Sequence, residues 1–120
     1  MEDGVFKLQE IPQALVGSIW PEAKSWLEQA IDVENMEEHL AWVEGRLYTG
    51  LEQLWRLEDK QGNLSGFATT NFYTKNGISK TVQIHLGVAD DLDDFLKYLN
   101  TFEIWAAEKG AHYIEVIDGS

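Results

Sequence analysis

The sequence predicts an α+β domain built on one mixed sheet, with elements in the order β-α-α-β-β-β-α-β. Three observations carry this reading. Two amphipathic helix patterns fill the N-terminal half, over residues 12–31 and 34–50. Three strand-like runs follow, separated by the turn signals "DKQGN" and "TKNG". A third helix pattern, residues 90–110, then leads into a last strand-like run, "AHYIEVI".

The elements are justified in order. "GVFKLQEI" (residues 4–11) alternates Val5, Lys7 and Gln9 against Phe6, Leu8 and Glu10, as a short edge strand does. Within residues 12–31, Leu15, Ile19, Trp26, Leu27 and Ala30 fall on one helical face. Pro21 lies inside this run. It lacks a backbone donor and crowds the preceding turn, so either the helix kinks there or Pro21 opens a second helix. In residues 34–50, Met36, Leu40, Val43 and Leu47 make one apolar stripe. Asn35 reads as the N-cap, and Glu38 completes a capping-box pattern. Gly50 reads as the stop. His39 falls beside the stripe among Glu37, Glu38 and Glu44 and reads as a solvated helix residue.

"LEQLWRLE" (51–58), "NLSGFATTNFY" (63–73) and "ISKTVQIHLGV" (78–88) make an antiparallel meander, with Asn76-Gly77 as a hairpin signal. Along the third run, Val82, Ile84, Leu86 and Val88 share one face; Thr81, Gln83, His85 and Gly87 share the other. The last helix buries Leu92, Phe95 or Leu96, Leu99, Phe102 and Ala106. Gly110 ends it, after Lys109, whose charge suits a helix C-terminus. The final strand, reached through a helix, lies parallel to the strand before it through a right-handed crossover.

At 120 residues and 44% hydrophobic content, residues 1–120 make a single domain. The net charge of −12 argues against binding nucleic acid by phosphate neutralisation, and against an anionic membrane surface. It suits a partner with a basic surface, and it also serves solubility. With no Cys there is no thiolate nucleophile and no Cys-based metal site. His39, His85 and His112 carry no metal-ligand spacing, so no metal is expected. "MEDGVFKLQE" has neither the basic start nor the apolar core of a secretory signal, and no apolar run is long enough to cross a bilayer. Trp42 lies off the stripe of its helix and is the candidate surface contact; Trp20, Trp26, Trp55 and Trp105 read as core.

Three segments carry a resemblance. "GLEQLW" (50–55), "GNLSGFATTNF" (62–72) and "IHLGVADDLDDFLKYLNTFEIWAAEKGAHYIEV" (84–116) resemble the second strand, the third strand and the strand–helix–strand unit of GNAT acetyltransferases. The likeness is closest to small GNAT-like proteins of tailed phages and covers residues 4–118. It implies a GNAT-like mixed sheet lacking the last helix and strands of active members. It also implies an acetyl-CoA site in a V-shaped gap between the fourth and fifth strands. The pantetheine arm would pair with fourth-strand backbone, here Leu86, Gly87, Val88 and Ala89. The pyrophosphate would sit on the N–H groups that open the next helix, in a Q/R-x-x-G-x-G/A loop.

Two departures from that pattern matter. The loop "GVADDLDD" has no second Gly and no Arg or Gln after Gly87, and it puts Asp90, Asp91, Asp93 and Asp94 where pyrophosphate would sit. At a few ångströms each like-charge contact costs about 1 kcal/mol in water, and more where shielded. The chain also ends at "IEVIDGS", where active relatives continue, so an exposed sheet edge is expected. If catalysis survives, His85 is the candidate base; its alternative is a strand histidine on the less buried face. His112 and Glu115 read as exposed or solvated residues.

These features together predict a degenerate acetyl-CoA site without a cofactor. The protein would act by protein binding, as a virion accessory or an inhibitor of a host protein, in the host cytoplasm or the virion. Its partner would have a basic surface, or be a second copy joined through the exposed edge. Direct nucleic-acid and membrane binding are not expected. The alternative is an acetyl-CoA-dependent N-acetyltransferase whose site is completed by a second chain. A further alternative is an acidic DNA mimic.

Overall fold

Five strands form one sheet in the order β1-β2-β3-β4-β5 in the computed structural model, which describes residues 7–31, 33–75, 77, 79–89 and 92–116. The strands are β1 (Lys7–Glu10), β2 (Gln53–Glu58), β3 (Leu64–Lys75), β4 (Ser79–Ala89) and β5 (Tyr113–Val116). Neighbours are antiparallel except β4 and β5, which are parallel. Helices α1 (Val16–Leu27) and α2 (Met36–Tyr48) cover one face, and α3 (Leu92–Glu108) covers the other. The element order is the one the sequence predicts.

Each face has its own core. On the first, Val16, Trp20, Ala23 and Leu27 of α1 and Leu40, Val43 and Leu47 of α2 close over Leu54, Phe67 and Leu86 of the sheet. On the second, Tyr98 and Phe102 of α3 close over Trp55, Leu57, Ala68 and Ile84. Aromatic edges fix α3 there: Trp55 meets Phe102 at 5.3 Å and Trp105 at 4.7 Å, both near perpendicular.

α1 runs unbroken through Pro21, so no second helix opens there. The proline removes a single backbone bond, and its buried neighbours Trp20 and Ala23 hold the segment against the sheet. At the start of α2 the capping box does not form. Asn35 makes no side-chain cap bond, because a 3-10 turn at Val33–Asn35 leads directly into the helix. The two glycine stops are as expected. After α2, Gly50 (φ 80°) sits at the C′ position, with Leu51 N–H donating to the Arg46 carbonyl and Gly50 N–H to that of Leu47. After α3, Gly110 (φ 82°) repeats the arrangement, with Ala111 donating to Ala106 and Gly110 to Ala107.

The alternation along β4 departs from its expected form. Thr69 pairs with Leu86 and Thr70 with Ile84, so His85 is the extra residue of a β-bulge. Past the bulge the inward face switches: Ile84 packs on the α3 side, whereas Leu86 and Val88 pack on the α1–α2 side. The four apolar residues of β4 therefore do not share one face. The buried stripe of α3 also differs, since Tyr98 is fully buried while Leu99 is half-buried. The Tyr98 hydroxyl satisfies itself on Ser65 Oγ and the Glu58 carbonyl, both at 2.7 Å. The side chains of Leu92, Phe95 and Leu96 lie outside the described set, as does Asn76 of the hairpin.

Candidate active site

The bulge turns His85 toward α2, where it joins a polar cluster set into an apolar face. Its Nδ1 lies 3.0 Å from Oε1 of Glu52, and its Nε2 lies 3.0 Å from Nε2 of His39. Glu52 stands just before β2, two residues from the buried Leu54, so the strand period places it inward. Its side chain is fully buried. Oε1 accepts from Arg46 Nε (3.2 Å), Asn71 Nδ2 (3.2 Å) and His85 Nδ1. Oε2 has no partner among the described residues. A carboxylate this buried keeps its charge only with such donors, and three on one oxygen supply them.

The protons follow from this geometry. A carboxylate only accepts, so His85 carries its proton on Nδ1 and donates it to Glu52. When His85 is neutral its Nε2 is bare, and the contact with His39 then requires His39 to donate Nε2–H. Neutral His39 is left with a bare Nδ1. Burial holds the His39 pKa below its usual value; a proton on His85 would lower it further, and Glu52 opposes both. In that neutral series Glu52–His85–His39 ends in an unprotonated imidazole nitrogen, Nδ1 of His39.

Trp42, one turn along α2 from His39, closes the cluster. Its ring meets those of His39 (5.9 Å) and His85 (5.5 Å) nearly edge-on, and the Arg46 guanidinium lies 4.7 Å from its centroid. It is still 52% exposed, in line with the surface position expected for it. Asn35, Glu38, His39 and Trp42 line an open depression of about 400 Å³.

The polar chain continues away from Glu52. Asn71 Nδ2 also donates to Gln83 Oε1 (3.1 Å), and Gln83 Nε2 donates to Glu115 Oε1 (3.0 Å). Tyr73 donates its hydroxyl to Glu115 Oε2 at 3.0 Å, and this bond raises the phenol pKa. Glu115 is therefore a half-buried acceptor and not a solvated carboxylate. His39 is likewise a half-buried cluster member and not a solvated helix residue. His112 is exposed, as expected; its Nδ1 accepts from Lys80 N–H at 3.3 Å.

His85 and the expected cofactor segment are contiguous on β4. Leu86 is buried, with its N–H donating to Thr69 Oγ1 (3.2 Å), and Gly87, Val88 and Ala89 are half-buried. Among the described residues β5 pairs with β4 only from Thr81 to Ile84, and β4 runs on to Ala89. On the other edge, β3 approaches closely at Gly66. A Cβ there would lie 2.0 Å from the Val88 carbonyl oxygen, so only glycine fits. Asp90 and Asp91, and the side chains of Asp93 and Asp94, lie outside the described set. Among the described residues no group of three or more His, Asp and Glu could hold a metal ion, and no helix is long and apolar enough to cross a membrane.

Glu52 and His39 escaped the sequence reading. The signal for Glu52 was a charge at an inward position of a strand register. For His39 it was the spacing His39–Trp42–Arg46 along one edge of α2.

The chain has the fold of the GNAT acetyltransferases. It is similar to an aminoglycoside acetyltransferase from an uncultured soil metagenomic sample, solved with trehalose, at TM-score 0.65 and 13% identity over 93% of this chain and 76% of that one. A GCN5-related N-acetyltransferase from Ralstonia eutropha superposes at TM-score 0.61 and 13% identity, covering 93% and 82%. An aminoglycoside N-acetyltransferase in complex with CoA superposes at TM-score 0.59 and 14% identity, covering 97% and 78%. No family model and no curated protein matches the sequence.

Proposed function

We propose that this protein transfers an acetyl group from acetyl-CoA to an amine, with Glu52, His85 and His39 receiving the amine's proton. The observation that carries this reading is the hydrogen-bonded Glu52–His85–His39 series at the β4 bulge, beside the strand segment that runs past its pairing with β5. Leu86 to Ala89 would hold the pantetheine arm by their backbone, and acetyl-CoA would supply the acyl group. What the chain itself supplies is a proton path. His39 Nδ1 accepts the proton from the amine, His39 passes its Nε2 proton to His85 Nε2, and the resulting imidazolium is neutralised by Glu52. The test is release of CoA thiol from acetyl-CoA with a panel of primary amines, alongside calorimetry with CoA. Saturable binding and turnover are expected. Absence of both at millimolar CoA would overturn the reading.

A second reading, action by protein binding, has its own support. β5 is the last strand in the described sheet order, and Tyr113 (62%) and Val116 (49%) stand exposed on it, in a chain of net charge −12. A self-association constant from sedimentation, unchanged by Tyr113→Lys, would remove this support.

A further inference from the structure

We infer that the depression on α2 selects an amine bearing a second positive charge, such as a short aliphatic diamine; the inference rests on the proposed amine acceptor and names its chemical class. Four residues carry it. Glu38 and Trp42 are four apart on α2 and so share a face, and His39 lies between them. All three line the same open depression, together with Asn35. Glu38 is exposed and has no ion-pair partner among the described residues, so its carboxylate is available to a ligand. Trp42 is half-exposed, and indole is the best of the aromatic rings at holding a cation.

The division of labour follows from the chemistry. The reacting nitrogen must end beside the bare Nδ1 of His39, which takes its proton. The second nitrogen stays protonated, and a carboxylate next to an indole favours a charged group over a neutral one of the same shape. The rings of His39 and Trp42 are 5.9 Å apart. The two nitrogens of 1,4-diaminobutane, fully extended, are about 6 Å apart by ordinary bond lengths. Arg46 lies against the Trp42 ring and would repel a cation, but Glu52 holds that charge at 3.2 Å. The surrounding field also favours the cation, since the chain carries a net charge of −12. A neutral or anionic acceptor gains from none of these features.

The test compares 1,4-diaminobutane with 4-amino-1-butanol, which keeps the reacting amine and replaces the second charge by a hydroxyl. Calorimetric titration without acetyl-CoA reads binding, and CoA release reads turnover. The diamine is expected to bind about tenfold more tightly, and more weakly as salt is added. Trp42→Leu and Glu38→Gln should each cut that preference about two- to fivefold, the range for an exposed cation–π contact or ion pair. Equal affinity for the two probes, no binding of either, or a preference untouched by both substitutions overturns the inference. Turnover with the amino alcohol as efficient as with the diamine overturns it too, and leaves the transferase reading standing. Diamine binding without any CoA release sinks the transferase reading and leaves the cation site standing.

Discussion

At the scale of single residues, Glu52 organises the site. Its burial is costly, and the donors from Arg46, Asn71 and His85 offset that cost. Glu52→Gln keeps the shape and removes the charge. It should lower stability by about 1.5–3 kcal/mol in urea denaturation, the range for hydrogen bonds to a charged group. It should also release His85 from its tautomer, which nitrogen chemical shifts would show. His39 carries the second prediction. Its folded pKa lies below the model-peptide value of 6.5, so the unfolded chain takes up its proton first as pH falls. Its contribution is fully present above pH 6.5 and is lost as pH falls toward the depressed value. Stability should therefore rise with pH through that window, and His39→Gln should flatten the slope. The sequence offered His85 as a candidate base only through the resemblance, beside the alternative of a strand histidine on the less buried face, and in the structure it is buried. Glu52 was not legible, because its burial depends on α2 folding over it.

At the scale of elements, local rules and pairing rules divide what the sequence reveals. The stops at Gly50 and Gly110 were legible because a left-handed residue after a helix is a local demand that glycine meets. The bulge at His85 was not, because a bulge is a property of two strands, and β4 alone still reads as plain alternation. Tyr98 escaped the α3 stripe because its burial depends on Ser65 and the Glu58 carbonyl, which come from β2 and β3. Gly66 sets how closely β3 approaches the end of β4, and so where the proposed pantetheine-binding segment lies. Gly66→Ala forces a methyl group into backbone at 2.0 Å, which cannot yield as a side-chain tip does. The expected loss is about 2–4 kcal/mol, at the upper end for overpacking, read as a shift of the urea midpoint without a change in slope. Loss of CoA binding in whatever variant still folds would follow from the same displacement.

At the scale of the molecule, the GNAT fold was legible because element order and turn chemistry survive where sequence identity does not. The neighbours share only 13–14% identity with it. The site was only half legible, since α2 and the start of β2, near one another in the chain, meet the remote β4 bulge to build it. The central claim is that His85 moves a proton in acetyl transfer. It is tested most directly by comparing the rate of CoA release in the wild-type protein and in His85→Ala, with a primary amine at saturating acetyl-CoA. The account predicts turnover in the wild type and a fall of about 10²–10⁴-fold in the variant, the usual worth of a positioned acid–base group, with CoA affinity retained. A folded His85→Ala protein that releases CoA as fast as the wild type would contradict it.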